Sequence, residues 1–442
     1  MKPRYVAGVD SSTQSTKVLI VDPHSGEIVR SGKAPHPDGS EIDPHHWWLA
    51  FQQAVSQAGG LEDVYALSIG GQQHGMICLD EHGQVIRPAL LWNDTRSAHA
   101  AQELIEELAV NQPDGNGISA WTQATGSAPV ASLTITKLRW LADNEPENAE
   151  KIAAICLPHD WLTWKIAGSG DIRQLTTDRS DASGTGYLSR DAQNYRRDLL
   201  AQALRRSHAD DIVLPKILTP WEVAGSGDPR QGWGHIQLGP GCGDNAGAAL
   251  GIGLKPGQGL VSLGTSGVIS AVSEHSIADP DGLVTGFADA TGHWLPLVCT
   301  LNASRIVDAM ARILGVDYAQ FDELALSVPH ANGLKLIPYF DGERTPNLPE
   351  ARGELHGMTL ANSQPAYIAR AAIEALLHHM ADALRCITRH SVSLHELILI
   401  GGGAQSQAVR HLAAQIFGLP VTIPPTREYV ALGAARQAAQ LR

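Results

Sequence analysis

The first apolar run, Tyr5-Val6-Ala7-Gly8-Val9, breaks at the polar stretch Asp10 to Thr16 and resumes as Lys17-Val18-Leu19-Ile20-Val21. Two short apolar runs around a small polar turn predict a β-hairpin, with one carboxylate at the start of its loop. Taken alone, such a hairpin is a common surface feature. Asp43-Pro44 predicts a helix over 45–58, with Asp at the cap and Pro in the first turn. The uninterrupted run Val64 to Ile69 predicts a buried strand that ends in Gly70-Gly71-Gln72-Gln73-His74-Gly75. Polar residues at the carboxyl end of a buried strand are where open α/β sheets hold ligands. Leu91-Trp92-Asn93-Asp94 closes another apolar run, and helices are predicted over 98–110, 135–143 and 191–206. Between the last two, Asp178 to Gly186 reads as a polar loop too rich in hydroxyls to be core.

The same pattern returns in the second half. Gly259 to Leu263 predicts a strand, Gly264-Thr265-Ser266-Gly267 a tight turn and Val268 to Val272 a second strand. Ser363 is the expected cap of a long helix, whose apolar positions Ile368, Ala372, Leu376, Met380, Leu384 and Ile387 mark one buried face. A strand over 395–400 then enters Gly401-Gly402-Gly403, and a helix is predicted over 405–417. Each half thus holds a strand-turn-strand unit followed by an apolar strand that ends in glycines. Recurrence in the same order implies an ancient duplication. The expected architecture is α/β, with two duplicated actin-like (ribonuclease H-like, hexokinase-type) domains around a central cleft. The expected division is 1–245 and 246–442. Turn amides in such a cleft wrap nucleotide phosphates without a P-loop, and no G-x-x-x-x-G-K-[ST] occurs.

Composition narrows the partners. A chain of 442 residues with 43% hydrophobic and 18% charged residues is ordinary globular material, long enough for two or three domains. Its net charge of −13 argues against nucleic acid and anionic membrane surfaces. A phosphate ligand must therefore be held by local amides, helix ends and metal. Five cysteines with no C-x-x-C pair read as reduced thiols. With the first strand at Tyr5 there is no room for a signal peptide, and no apolar run approaches a membrane span, so a cytoplasmic location is expected. Nineteen histidines raise the question of metal, but the pairs His45-His46 and His378-His379 are adjacent and point apart on a helix.

The candidate chemistry centres on Gly241-Cys242-Gly243-Asp244-Asn245. A lone carboxylate on a glycine-rich turn, ahead of the small-residue helix start Ala246-Gly247-Ala248-Ala249, suits a general base that accepts a hydroxyl proton. The stretch also fits G-x-G-x-x-A, the dinucleotide fingerprint. That fingerprint requires an acid about 20 residues on, and here Val261 to Gly267 supplies none.

Five stretches now carry a resemblance. They are Gly8 to Thr13, Gly71-Gln72-Gln73-His74-Gly75 with Leu91-Trp92-Asn93-Asp94, Gly243-Asp244-Asn245, Ser262 to Gly267, and Gly342-Glu343-Arg344-Thr345-Pro346, with Gly401-Gly402-Gly403-Ala404 added on the nucleotide side. In this order, from residue 5 to about 435, the chain resembles the FGGY carbohydrate kinases. The resemblance implies ATP-dependent phosphorylation of a ketopentose hydroxyl, D-xylulose foremost, with Mg²⁺. Asp244 would be the proton acceptor, and Asp10 would act near the metal through water. Gln73, His74 and Asn245 would hold the sugar. Thr13, Gly264 and Thr265 would line the phosphate path, and Gly402, Gly403 and Ala404 would face the nucleotide. Arg344 receives no role. The partners implied are small molecules, with a homodimer left open. The rival is an actin-like ATP-binding sensor without catalysis, which would need the hairpins but no base or sugar-facing Gln-His pair. Ribulose, glycerol and other polyols stay open as substrates.

Overall fold

The computed structural model describes residues 4–110 and 112–442. The first hairpin forms as β1 (Tyr5–Ser11) and β2 (Ser15–Val21), and β3 (Ile28–Pro35) adds antiparallel to β2. Helix α1 (His45–Gln57) follows; Pro44 rather than Asp43 takes its cap position, although the Asp43 carboxylate accepts the His45 N–H. β4 (Val64–Gly71) returns parallel to β1, placing Asp10 opposite Gly70 and Ser11 opposite Gly71. Three short strands complete the sheet: β5 (Gly225–Ser226), β6 (Gln237–Leu238) and β7 (Cys242–Gly243). Both β6 and β7 run parallel to β4, and Cys242 lies opposite Gly70. The carboxyl ends of β1, β4 and β7 therefore meet at one edge.

The segment between β4 and β5 is mainly helical, with short strand pairs such as Ile77–Leu79 with Ala154–Cys156. α2 (Ala98–Ala109), α3 (Thr134–Asn144) and α6 (Arg197–Ala203) share a separate core of Leu104, Trp121, Leu138, Leu141 and Leu200. α4 (Pro158–Ala167) instead packs Trp161 and Leu162 against Trp47 and Phe51 of the sheet core. Two expectations fail here. The helix expected from 191 begins only at Arg197, because the Asp191 carboxylate closes a turn on the Gln193 N–H and Leu188 bridges to Tyr195. Asp178 to Gly186 is not a surface loop: it contains the short helix α5 (Arg179–Ala182), and its polar residues other than Arg179 are buried. Much of this polarity is satisfied locally, although neither oxygen of Asp181 has a hydrogen-bond donor. Asp178 accepts the Ser180 and Asp181 N–H groups, while Ser183 and Thr185 donate to the Ser180 and Ala182 carbonyls. Small polar residues that bond their own backbone can enter a core that long charged ones could not.

α7 (Asp244–Ile252) leads out of β7 and runs across the 245/246 boundary expected from the sequence. In the second sheet, β8 (Gln258–Leu263) pairs antiparallel with β9 (Gly267–Ala271). Beyond β9 lie β11 (Trp294–Thr300) and β10 (Thr285–Ala288), both in antiparallel pairings. β12 (Glu396–Ile400) runs parallel to β8, and β13 (Val421–Thr422) parallel to β12. Order and direction repeat those of β6, β4, β1, β2 and β3, so the duplication is structural. α8 (Ser304–Leu314) and α9 (Pro365–Thr388) cover this sheet, the latter with the apolar face expected of it. Ser363 does not cap α9. Pro365 fixes the first turn, Gln364 takes the cap position, and the Ser363 hydroxyl donates to the Leu360 carbonyl. α10 (Gln407–Phe417) starts at the Ser406 cap, two residues later than expected, because Gly402–Gln405 forms a short 3₁₀ turn.

α11 (Tyr429–Ala438) crosses back onto the first sheet, where Ala431, Leu432, Ala435 and Ala438 pack on Val6, Leu19, Val21 and Ala66. It also lies backbone to backbone on α7. A Cβ added at Gly433 would fall 1.9 Å from the Gly247 carbonyl oxygen, and one at Gly251 would fall 1.9 Å from that of Tyr429. Only glycine permits that approach. Among the described residues, no helix is long and apolar enough to cross a membrane, and no group of three or more His, Cys, Asp or Glu side chains is arranged to hold a metal ion.

Candidate active site

Asp10 and Asp244 come together because β1, β4 and β7 end together. Asp10 is 4% exposed, and Oδ2 receives Lys17 Nζ at 3.4 Å while Oδ1 is buried without a partner. Burial pushes its carboxyl up to about 6, against the pull of Lys17. Lys17 also pairs with Glu428 at 2.6 Å, just ahead of α11, so one lysine ties this carboxylate to the far end of the chain. Asp244 opens α7, and Oδ1 accepts the Asn245 N–H at 2.8 Å. The surrounding protein and then the charge of Asp10 push its carboxyl up to about 7. An open face toward solvent limits that effect without reversing it. The pair has the form expected of an acid-base site, one carboxyl poised near neutrality beside another.

The sugar-side residues of the sequence reading join this edge. Gln73 is buried, and its Oε1 accepts from Asn245 Nδ2 at 2.8 Å, which in turn reaches Asp244 Oδ1 at 3.1 Å. His74 follows at φ 68°, a left-handed conformation that a side chain other than glycine adopts only when held. Two groups hold it: the Thr134 hydroxyl and Lys137 Nζ both donate to the His74 carbonyl, at 3.2 and 2.9 Å. Its ring lies 5.6 Å from that of Phe287, on β10 of the other sheet. Burial, with Lys137 and Arg344 adding to it, lowers the imidazole to about 3, so the ring is neutral.

Lys137 escaped the sequence reading. It is fully buried, and burial brings its ammonium down to about 7. The signal was present: Thr134, Lys137, Leu138 and Leu141 share one helical face, and a lysine on a buried stripe is rare without a task. Lys137→Met should leave the His74 carbonyl short of a donor, at about 1–3 kcal/mol. Sugar KM is expected to rise about 5- to 150-fold at that cost, with ATP KM steady. An unchanged sugar KM in the folded variant would remove Lys137 from the site.

Thr13 Oγ1 donates to Gln72 Oε1 at 3.3 Å and accepts from the indole of the half-exposed Trp92 at 2.9 Å. The hairpin turn therefore faces the end of β4. On the second sheet, the exposed turn Gly264 to Ser266 receives α8, whose Ser304 N–H donates to the Gly264 carbonyl. Gly403 sits against the same serine, with an added Cβ only 2.5 Å from Ser304 Oγ, and Gly402 beside it is open. Gly264, Thr265, Gly402 and Gly403 thus form one surface. Ala404 does not share it. Its side chain is 0% exposed within the second core, because the 3₁₀ turn rolls it inward, so its methyl cannot face a ligand.

Gly342 to Pro346 supports this surface from behind. Buried Glu343 accepts from the Leu301, Asn302 and Arg344 N–H groups, and from His379 Nε2 at 2.9 Å. These bonds pull its carboxyl down to about 2 despite burial. Arg344 makes no salt bridge to Glu343. Its charge is felt instead by His74 and by Cys299 on β11, which Asp244 also influences.

A duplicated sheet with paired carboxylates at the carboxyl edge of one half, and a glycine-lined surface on the other, is the layout of a sugar kinase. Residues 5–251 match the FGGY family of carbohydrate kinases, N-terminal domain, and residues 259–441 match its C-terminal domain. The chain belongs to the FGGY family of carbohydrate kinases. It is 45% identical to a xylulose kinase of Streptomyces coelicolor, across 99% of this chain and 88% of that one. It is 44% identical to that of Streptomyces rubiginosus, with the same coverage of each chain, 99% and 88%. Its structure superimposes on the xylulose kinase from Bifidobacterium adolescentis with a TM-score of 0.95 and 52% identity, covering 99% of this chain and 93% of that chain.

Proposed function

We propose that the protein transfers the γ-phosphoryl group of ATP to a hydroxyl of D-xylulose, giving D-xylulose 5-phosphate. The observation that carries this reading is the meeting of Asp244, Asp10 and the Gln73-Asn245 pair at the shared end of β1, β4 and β7. The relatives' substrate supplies the sugar. Asp244 accepts the proton of the attacking hydroxyl. Gln73, His74 and Asn245 hold the other hydroxyls, with the neutral His74 ring free to donate or accept. Asp10 suits a hydrated Mg²⁺, because its buried Oδ1 has no partner and would accept from a metal-bound water. When bound, that ion supplies charge neutralisation on the phosphates. The segment 1–245 provides the sugar side and the base. The segment 246–442 provides the nucleotide side, through Gly264, Thr265, Gly402 and Gly403. A cytoplasmic enzyme fits the five thiols, all unpaired in the structure.

The sugar is tested by a coupled assay of ADP release with D-xylulose, D-ribulose, glycerol and a hexose. D-xylulose is expected to give the highest kcat/KM, and a higher value for another acceptor would move the assignment to it. The base is tested by pH. Asp244 acts only when unprotonated, so kcat/KM for the sugar should climb with pH and level off above about 7. Stability should move the opposite way. The folded chain holds the Asp244 and Asp10 protons up to about 7 and about 6, and the unfolded chain releases both near 4. Stability from these groups is therefore present at low pH and lost as pH rises through that window. A flat activity profile from pH 5.5 to 8 would remove Asp244 as the base.

A further inference from the structure

One buried ionic group lies outside the chemistry described so far. His159, the second residue of α4, is 0% exposed, and its Nε2 faces three carboxylates: Asp160 Oδ1 at 3.3 Å, Asp178 Oδ1 at 3.4 Å and Asp181 Oδ2 at 3.3 Å. Neither oxygen of Asp181 has a hydrogen-bond donor, and all three aspartates are at most 3% exposed. Three ionised carboxylates could not share so dry a space without a cation; burial otherwise favours protons retained on Asp160 and Asp181.

The ring fits between the two strand ends that carry the site. A Cβ added at Gly241 would lie 2.4 Å from His159 Nδ1, and one at Gly71 would lie 2.9 Å from His159 Cβ. On the other side, α5 connects the carboxylates to everything around the sugar. The Ser180 hydroxyl accepts the Gly243 N–H, one residue before Asp244. The Ser183 hydroxyl accepts the Ala288 N–H from the second sheet, and Gly184 backs onto the His74 ring.

We propose that His159 is a positioning residue: as an imidazolium it locks α4 to α5 through Asp160, Asp178 and Asp181, and so holds Gly243-Asp244 and His74 in the geometry the transfer requires. The inference rests on Asp244 being the base. Burial works against the cation, and it also pushes the Asp160 carboxyl up to about 6 and that of Asp181 well above the usual carboxylate range. Asp160 first, with Asp178 and Asp181, outweighs that burial and carries the imidazole up to about 9. Beyond these, Cys242 on β7 and Asp244 on α7 face the same cluster, and Cys156, Tyr187 and Tyr195 lie on its Asp160 side, while β4 contributes only glycines there.

The test compares His159→Gln and His159→Lys with the wild type, reading kcat, both KM values and the pH profile from 5.5 to 10. In the wild type, kcat should fall along an alkaline limb near pH 9 as the imidazolium is lost. His159→Gln should lose about 10²-fold in kcat at every pH, the scale of a reacting group misplaced by about 1 Å, with ATP KM unchanged. His159→Lys keeps a cation with a higher ordinary value, about 10.4. It should regain activity to within about tenfold of wild type, with the alkaline limb shifted upward. A role in stability alone would lower melting temperature and leave the limb in place. A folded His159→Gln enzyme within about threefold of wild-type kcat, well short of a misplacement effect, overturns the proposal, as does an unmoved limb in His159→Lys. Where the glutamine variant does not fold, the lysine variant decides. Imidazole ¹⁵N shifts read the cation without turnover. A doubly protonated His159 at pH 8 is expected, and a neutral ring at pH 7 would sink the inference. If the wild type phosphorylates no sugar at all, the general-base reading falls instead, and the ¹⁵N result still decides whether the cation is there.

Discussion

An Asp244→Asn enzyme is expected to fold, bind sugar and ATP, and turn over 10²- to about 10⁴-fold more slowly, the usual worth of a positioned general base. The substitution is close to neutral for structure. Asparagine keeps the acceptor oxygen that receives the Asn245 N–H at 2.8 Å. It gives up a favourable charge at the first turn of α7, worth about 0.3–1 kcal/mol, but it also removes a carboxylate whose ionisation Asp10 already opposes. The melting temperature should therefore change little, and sugar should still raise it. The competing account is that Asp244 only starts the helix. That account predicts lower stability with turnover per folded molecule intact. Near-normal kcat in the asparagine variant would end the mechanism given above.

Asp10→Asn should fail in a different way. This carboxylate has no role in accepting the sugar's proton, and its buried Oδ1 is free to receive a metal-bound water. Partners that hold a metal through water are typically worth 10- to 100-fold in metal affinity or activity, so about that much more Mg²⁺ should be needed to reach a lowered maximal rate. Lys17 keeps its partner Glu428 and stays anchored. Neutralising Asp10 also relieves the charge that raises the Asp244 carboxyl, so the acid limb of the sugar profile should move to lower pH. That movement separates the two aspartates experimentally. A titration of rate against Mg²⁺ that matches wild type would show that Asp10 serves its turn and nothing more.

Elements with a strong period were legible from sequence, and so were residues at the ends of buried strands. The runs Tyr5 to Val9 and Val64 to Ile69 are apolar because both faces of their sheet are covered, and their polar ends could only lie at the cleft. Asp10, Gln73 and His74 stood out at such ends and Asp244 on a glycine-rich turn, while the sugar and metal roles came from the family resemblance. The residues that support them did not stand out. Lys137 and His159 look like ordinary helix residues until the helix is docked, since a buried cation is recognised by partners distant in sequence: the His74 carbonyl for one, Asp178 and Asp181 for the other. The hydroxyls of 178–186 misled for a related reason. Composition does not distinguish a serine facing water from one bonded to its own helix. Ala404 shared a glycine run with residues that do reach the surface, and only the 3₁₀ turn after Gly401 separates them.

The return of α11 to the first sheet has a consequence for how the chain is made. Lys17 and Glu428 are 411 positions apart, yet the helix just beyond that glutamate supplies the cover for Val6, Leu19 and Val21. During synthesis, at roughly 5–20 residues per second, the first hairpin must wait tens of seconds with one apolar face open to the cell. The N-terminal lobe is thus not a unit that finishes early and stands by. It closes only when α11 arrives, and the Gly247, Gly251 and Gly433 contacts tie that arrival to the helix bearing Asp244. A nascent chain interrupted before residue 429 would carry both carboxylates and an exposed sheet, a natural client for chaperones rather than a partial enzyme.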